Sequence, residues 1–172
     1  MAIRYKKVPG KIVASVALAI LLGAGAAQLT VNEIADYEGY VPEAYKDPIG
    51  IWTKCFGSTL NVTPNAKYSF EHCVKSLNHE VEIHAGPILK CVPELAKQPD
   101  KVKAAMVSMA YNIGVGGFCS SSVARYANQG RWDLACKRIA QIYKTAGGKE
   151  LPGLVKRRRA ESRLCLEGAE GR

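Results

Sequence analysis

Two carboxylates and one hydroxyl stand at intervals of nine and six residues in a stretch that is rich in turn residues: Glu38, Asp47 and Thr53 in EGYVPEAYKDPIGIWTKCFG. A protonated carboxyl can donate a proton to a leaving oxygen, and an ionised carboxylate can activate water or stabilise developing positive charge. The Thr53 hydroxyl can hydrogen-bond an attacking water, although it is too weak a base to act alone. The pattern suits glycoside hydrolysis, and it equally suits two surface acids and a strand threonine.

The elements around these residues must bring them together. TVNEIADYEGY predicts a short helix with Thr30 or Asn32 as its N-cap and Gly39 as its end, so that Glu38 is the last helical residue. KDPIG is a turn signal and IWTKCFG alternates as a strand does, which predicts a small antiparallel sheet with Asp47 in its turn. A cleft between a helix end and a hairpin can bury one carboxyl partly, as a general acid requires, and keep the other hydrated.

The remaining chain, from residue 69 onward, has helical periodicity. SFEHCVKSLNHEVEIHAGPILKCV carries apolar residues at a spacing of three and four, and PDKVKAAMVSMAYNIG has helix start and stop signals in the expected order. Two further segments end in glycine, and the last helix, in LPGLVKRRRAESRLCLEG, is rich in arginine. The predicted fold class is α+β, with a small antiparallel β-lobe, a larger helical lobe and a cleft between them.

The charge and the N-terminus indicate where the protein works. The net charge is +9, of which residues 1–30 contribute +4, and this favours an anionic partner such as nucleic acid, a lipid surface or an acidic cell wall. Residues 12–29 carry no charge and, as a helix, would extend about 27 Å, enough to cross a bilayer core. The basic residues before them would hold the N-terminus in the cytoplasm.

Two alternatives remain for this apolar segment. AGA at residues 24–26 is a candidate signal-peptidase site, which would remove the segment, or the segment stays as an uncleaved anchor. Its six alanines and two glycines make it weakly apolar, and we favour a weak uncleaved anchor. This divides the chain into residues 1–30, the basic segment and anchor helix, and residues 31–172, the catalytic domain.

Six cysteines are spread over the exported part, and none forms a CxxC pair. The spacing of zinc ligands is missing, so no metal cluster is expected. An oxidising compartment favours three disulfides, and six cysteines allow about 15 connectivities, among which spacing does not choose. The cysteines are Cys55, Cys73, Cys91, Cys119, Cys136 and Cys165.

The order and content of these blocks resemble the phage-type lysozymes (glycoside hydrolase family 24). Glu38, Asp47 and Thr53 match the E-x8-D-x5-T triad of that family. The similarity continues in AYNIGVGGFCSSS, NQGRWDLACKRI, AGGKELPGL and GLVKRRRAESRLCL, and so covers most of residues 33–166. One departure is Ser58, where many relatives have a histidine that supports the hairpin.

The resemblance implies a lysozyme-like fold that cuts the β-1,4 bond between N-acetylmuramic acid and N-acetylglucosamine in peptidoglycan, without a cofactor. It implies that Glu38 is the general acid, that Asp47 stabilises charge or orients the water, and that Thr53 positions the water, with inversion at the anomeric carbon. Arg157 is expected to be partly structural and partly in the cleft, and its alternative is a solvated helix face. The residues implied in substrate binding are Asn112, Tyr111 and Arg157.

The N-terminal segment resembles that of the signal-arrest-release endolysins. These are exported by the host secretion machinery, held inactive at the inner membrane with the catalytic domain in the periplasm, and then released. Residues 1–30 contain no cysteine, so activation by thiol exchange lacks its attacking thiolate, and release and refolding of residues 12–29 is expected. The protein is expected to be a monomer. Family patterns imply the disulfides Cys55–Cys73, Cys91–Cys119 and Cys136–Cys165.

Three alternatives compete with a muramidase. A lytic transglycosylase would leave a 1,6-anhydro end without using water, and the Asp47–Thr53 pair argues against it because those groups handle water. A non-catalytic wall-binding protein would not need an intact triad. A nucleic-acid binder is disfavoured because the export segment takes the domain away from DNA and no recognition motif is present.

Overall fold

The computed structural model describes residues 3–171, and within this range it has eight α-helices, one 3-10 helix and four short strands. In chain order they are α1 (Val16–Leu22), α2 (Ala24–Glu38), β1 (Val41–Lys46), β2 (Trp52–Cys55), α3 (Phe70–Cys91), the 3-10 helix (Pro93–Lys97), α4 (Asp100–Ile113), α5 (Val115–Cys119), α6 (Ser122–Asn128), α7 (Trp132–Ile139), β3 (Thr145–Ala146), β4 (Lys149–Glu150) and α8 (Pro152–Glu170).

The predicted α+β class is confirmed. Strands β1 and β2 pair antiparallel, with Tyr45 opposite Thr53 and an irregular register between Val41 and Tyr45. They form the β-lobe between α2 and α3, and β3 and β4 form a second, separate hairpin before α8. The helices build the larger lobe. The segment that carries Glu38, Asp47 and Thr53 therefore lies at the junction of the two lobes.

Helix α4 is the centre of the helical lobe. Residues 102–110 are all buried, and α4 packs most extensively against α8 and α2. Its alanines let neighbouring helices approach closely, and its larger side chains, Met106 and Met109, fill the space between them. Every face of this helix is therefore covered, and the helices that carry Glu38 and Arg157 share it as a common support.

The apolar N-terminal segment is folded into the same core. The chain bends by 112° between α1 and α2, and the bend is at Gly23, which has a φ of 89°. Leu18, Leu22 and Ala26 are buried in the single hydrophobic core that also contains α4. Within the described residues, no single helix is long and apolar enough to cross a membrane, although this bent pair meets the length and composition criteria together.

The predicted N-cap at Thr30 or Asn32 is wrong. Helix α2 begins at Ala24, and the Thr30 hydroxyl is inside the helix, where it donates to the Ala26 carbonyl at 2.7 Å. The cap signal failed because the apolar residues before it continue the helix and are covered by the core. The boundary placed between residues 30 and 31 falls within α2, and the residues on both of its sides pack together.

A charge pair on α4 faces the bend between α1 and α2. The Lys103 ammonium, which is buried, donates to the Leu22 carbonyl at 2.6 Å, at the C-terminal end of α1. A Cβ on Gly25 would lie 2.1 Å from an Asp100 carboxylate oxygen, so that carboxylate lies against the first turn of α2. Positive charge at a helix C-terminus and negative charge at an N-terminus both complement the helix dipole. The pair therefore stabilises the bent arrangement.

Three disulfides connect the elements in pairs. Cys55–Cys73 joins β2 to α3, Cys91–Cys119 joins the end of α3 to α5, and Cys136–Cys165 joins α7 to α8. These are the pairs that the resemblance implied. Crosslinks that close loops of this length each stabilise a domain by about 3 kcal/mol. The first of them holds the β-lobe, with Thr53, against the helical lobe.

The β-lobe contains a buried lysine that acts on a neighbouring histidine. The Lys54 ammonium donates to the Asn61 carbonyl and to His72 Nε2, both at 3.1 Å, and lies 4.5 Å from the centre of the Tyr68 ring. Burial, together with the charges of Lys54 and Lys75, lowers the pKa of His72 below its ordinary 6.5. The stabilising contribution of neutral His72 is therefore complete above about pH 6.5 and is lost as the pH falls towards the folded-state pKa.

The effect of Lys54 on the pKa of His72 can be tested by substitution. In an NMR titration, Lys54→Met is expected to raise the pKa of His72, because the nearest positive charge is gone. Lys75→Met, at an exposed position on α3, is the matched control and is expected to raise it less. An equal His72 pKa in wild type and Lys54→Met would contradict this interpretation.

Candidate active site

Glu38 lies at the junction of the two lobes, as the last residue of α2. Gly39 ends the helix with a φ of 72°, and its amide donates to the Ala35 carbonyl at 3.0 Å. One carboxylate oxygen, Oε2, faces Gly57 of the β-lobe, where an added Cβ would lie 3.2 Å away. The Glu38 side chain is 24% exposed, so the carboxyl is held on two sides and still reaches solvent.

Arg157 of α8 holds the other oxygen of this carboxylate. Its Nη1 donates to Glu38 Oε1 at 2.7 Å, its Nε donates to Glu161 Oε1 at 3.1 Å, and its Nη2 donates to the Ser108 carbonyl at 3.2 Å. Burial alone would lower the pKa of Arg157, but the charges of Glu38 and Glu161 outweigh it and raise the pKa. The structure thus places Arg157, expected to be partly structural and partly in the cleft, behind Glu38 as a buried ion-pair partner.

A buried polar network continues from Arg157 into the helical lobe. Glu161 is fully buried and accepts from the Ser108 hydroxyl at 2.8 Å. Arg158, also fully buried, lies 2.9 Å from Glu161 and donates to Asn112 Oδ1 at 2.5 Å. Asn112 itself is exposed at the end of α4. Its side-chain amide is therefore oriented by α8 and accessible to solvent.

Asp47 is held by the turn that was predicted for it. Its Oδ1 accepts from the amides of Ile49 at 3.0 Å and Ile51 at 2.8 Å, and its own amide donates to the Ile51 carbonyl. These bonds use backbone amides on one side of the carboxylate and keep Asp47 at the tip of the β1–β2 hairpin.

Tyr45 is the half-buried residue of β1 that stands two positions before Asp47. Burial raises its pKa, and the charges of Tyr5, Glu38 and Asp47 act in the same direction. Thr53 is its partner across the sheet, and side chains of paired residues point to the same face. The Thr53 hydroxyl is buried and donates to the Ile51 carbonyl at 3.1 Å. Asp47 and Thr53 thus lie on the β1–β2 hairpin, and Glu38 lies at the helix end that precedes this hairpin.

Tyr111 lies near the C-terminal end of α4. Burial raises its pKa, and the charges of Glu80 and then Glu38 act in the same direction. Its hydroxyl lies 3.5 Å from Glu80 Oε2, and its ring packs against His84 with centroids 5.0 Å apart. Of the residues expected in substrate binding, Tyr111 and Asn112 lie near the end of α4, the first half-buried and the second exposed, and Arg157 is buried on α8.

Sequence reasoning missed Tyr45 and Ser108. Tyr45 stands two residues before Asp47, and Ser108 stands four residues before Asn112, so each shares a face with a residue that was recognised. Tyr37, over whose ring Arg157 lies at 4.7 Å, was missed as well. Helical and strand periodicity around the recognised residues would have found the first two.

The arrangement suits acid-assisted hydrolysis. Glu38, which is partly exposed, ends α2, and Asp47, which is bonded to backbone amides, lies in the hairpin that follows. Two such groups on opposite sides of a bond can protonate a leaving oxygen and guide water. Within residues 3–171, no group of three or more His, Cys, Asp or Glu residues is placed to hold a metal ion.

Comparisons with known proteins agree with this chemistry. The Phage lysozyme family profile matches residues 35–161. The SAR-endolysin of Enterobacteria phage P21 is 32% identical over 140 residues, which cover 81% of this chain and 82% of that protein. The muramidase domain of SpmX from Asticaccaulis excentricus is 29% identical, with a TM-score of 0.67 over 80% of this chain and 94% of the other.

The fold also resembles that of the P1 phage endolysin Lyz. The crystal structure of its active form superposes with a TM-score of 0.75 and 24% identity, over 93% of this chain and 98% of that chain. Its secreted inactive form gives a TM-score of 0.52 at 22% identity. The backbone arrangement of this chain is therefore nearer to the first of these two forms.

Proposed function

Because the chain belongs to the phage lysozyme family, it is a lysozyme-type enzyme acting on peptidoglycan, and we propose that it hydrolyses the β-1,4 bond between N-acetylmuramic acid and N-acetylglucosamine. The observation that supports this best is Glu38. Its carboxyl is fixed by Arg157 on one oxygen, approaches Gly57 with the other, and remains 24% exposed. An oriented and accessible carboxyl of this kind supports the role of proton donor to a bound glycan.

The steps of the proposed reaction follow from the placement of the triad. Glu38 donates its proton to the glycosidic oxygen as the bond to the anomeric carbon breaks. Thr53 and Asp47, on the hairpin, bind the water that attacks that carbon from the opposite face. The Asp47 carboxylate stabilises the positive charge that develops on the sugar and accepts the proton that the attacking water loses. Attack from the opposite face inverts the configuration. Tyr111 and Asn112 line the helical side and contact the glycan.

The products distinguish hydrolysis from the alternative chemistry. Purified sacculi digested with the enzyme are expected to yield glycan fragments with reducing N-acetylmuramic acid ends, detected by mass spectrometry and by reduction with borohydride. Fragments that end in 1,6-anhydro-N-acetylmuramic acid, lighter by one water, would show a lytic transglycosylase. Sacculi that bind the protein without releasing any fragment would show a wall-binding module, and either result would refute the proposal.

We further propose that residues 12–29 anchor the protein in the host inner membrane before lysis, with the N-terminus cytoplasmic and the catalytic domain periplasmic. The P21 relative is a SAR-endolysin, and the bent pair α1–α2 has the apolar length and composition required of an anchor. The host secretion machinery would export the chain, and the structure in which this segment is packed into the core then corresponds to the released monomer. Host cell lysis follows from release.

A further inference from the structure

The segment before the apolar stretch contacts the β-lobe beside the catalytic helix end. We define residues 4–8 as the leader segment. The Lys6 amide donates to the Tyr40 carbonyl at 2.8 Å in an isolated antiparallel bridge. The Lys6 ammonium also forms an ion pair with Glu43 of β1. The leader segment is therefore attached to the chain two residues after Glu38, by its backbone as well as by a side chain.

Tyr5 is in direct contact with the residue that follows Glu38. A Cβ on Gly39 would lie 2.4 Å from Cδ1 and 2.7 Å from Cε1 of Tyr5, so the tyrosine ring covers the space where a side chain would be. The φ of 72° at Gly39 is one that residues other than glycine rarely adopt. The glycine thus ends the catalytic helix and at the same time provides the surface on which the ring rests.

The contact continues along the chain towards the core. A Cβ on Gly10 would lie 3.0 Å from the ring of Phe70, and Phe70 packs edge-on against Tyr40 with centroids 5.7 Å apart. Val8 packs against the hydrophobic core. The leader segment and the residues after it therefore follow one continuous surface from Gly39 to α3.

The Tyr5 ring is exposed on the side away from Gly39. Tyr5 is also among the groups that raise the pKa of Tyr45, after burial and together with Glu38 and Asp47. The leader segment thus contacts the helix end that carries Glu38, and its charge environment extends to β1.

We propose that Tyr5 of the leader segment is a positioning residue that holds the Glu38–Gly39 helix end in its catalytic orientation. The inference rests on the proposed function. In a chain anchored through residues 12–29, the leader segment is on the cytoplasmic side of the membrane and Gly39 is on the periplasmic side. A bilayer core of about 30 Å then separates Tyr5 from Gly39, so the two cannot be in contact. Formation of this contact after release is then a requirement for activity in addition to withdrawal of the anchor.

The test uses the full-length, released protein and three variants. Tyr5→Ala removes the ring, Tyr5→Phe keeps it and removes only the hydroxyl, and Lys7→Ala changes an exposed residue of the same segment. Since displacement of a catalytic group by about 1 Å can cost 10²-fold, Tyr5→Ala is expected to lower kcat on purified sacculi at least tenfold with little change in KM. Tyr5→Phe and Lys7→Ala are expected to match wild type.

Hydrogen exchange and thermal unfolding separate positioning from general stability. The Lys6 amide is expected to be protected in wild type and to exchange faster in Tyr5→Ala, at an unchanged melting temperature. The proposal is overturned if kcat of Tyr5→Ala equals that of wild type, or if kcat falls only in proportion to the unfolded fraction. Wild-type protein without lytic activity would instead refute the proposed function itself, and the inference with it.

Discussion

Glu38→Gln is expected to lower kcat for lysis of outer-membrane-stripped Gram-negative cells by about 10²–10⁴-fold, the usual contribution of a positioned general acid. The amide has the shape of the carboxyl and its oxygen can still accept from Arg157 Nη1, which lies 2.7 Å from Glu38 Oε1 in the wild type. What it lacks is the acidic proton for the leaving oxygen. The loss should therefore appear in kcat, with the melting temperature and KM close to wild type.

A matched substitution shows whether the effect belongs to this site. Glu94→Gln makes the same change on the exposed 3-10 helix, where Glu94 contacts only Lys97 among the described ion pairs, and is expected to lyse cells at the wild-type rate. Turbidity loss measured for both variants beside wild type gives the comparison. Equal clearing by wild type and Glu38→Gln would show that Glu38 is not the acid and that the triad assignment fails.

The parts of this site that could be predicted from the sequence depend on local signals. Glu38 was placed at the last position of its helix because Gly39 provides a C-terminal stop, and Asp47 was placed in a turn because Pro48 and Gly50 follow it. These preferences act within a few residues, and the tertiary structure agrees with them. The antiparallel pairing of β1 and β2 follows from the same turn.

The fold of residues 12–29 could not be predicted in the same way. An uncharged, alanine-rich segment satisfies a bilayer and a protein core equally well, because both are apolar and both leave hydrogen bonding to the helix backbone. The bend at Gly23 depends on Lys103 and Asp100, which are distant in sequence and meet it only in the folded domain. The Lys6 amide, which attaches the leader segment to Tyr40, is a backbone group, so no pattern of side chains in the sequence indicates this contact.

The arginine-rich last helix shows a third case. The sequence left open whether Arg157 is partly structural and partly in the cleft or lies on a solvated helix face, and the structure buries it. Arg157, Arg158 and Glu161 are spaced so that both arginines can reach one carboxylate within a turn of helix, at i,i+4 and i,i+3. The spacing alone is compatible with exposed ion pairs. Burial follows from the packing of α8 on α4, which adds Ser108 and Asn112 as partners.

Glu161→Gln is consequently expected to cause a large loss of stability, about 3–5 kcal/mol, as is usual when one partner of a buried ion pair is removed. Glu161 is fully buried beside two arginines, which lie 3.1 Å and 2.9 Å from its oxygens, and the amide would leave these guanidinium groups close together with less compensating charge. For a chain of this size, such a loss lowers the melting temperature by roughly 10 °C or more. Thermal unfolding with the disulfides intact measures it.

Two further variants decide whether the uncompensated charge is the cause. Glu167→Gln, on the exposed side of α8 where Glu167 pairs with Lys101, is expected to change the free energy of unfolding by less than about 0.5 kcal/mol. Adding Arg158→Met to Glu161→Gln removes one of the two buried charges and is expected to restore part of the lost stability, because a buried charge without a partner costs more than an apolar side chain of similar size. If Glu161→Gln were no less stable than Glu167→Gln, or if the double variant were less stable than Glu161→Gln alone, the network would not be held by these charges. Glu38 would then owe its orientation to Arg157 packing on Tyr37, and not to the ion pairs behind it.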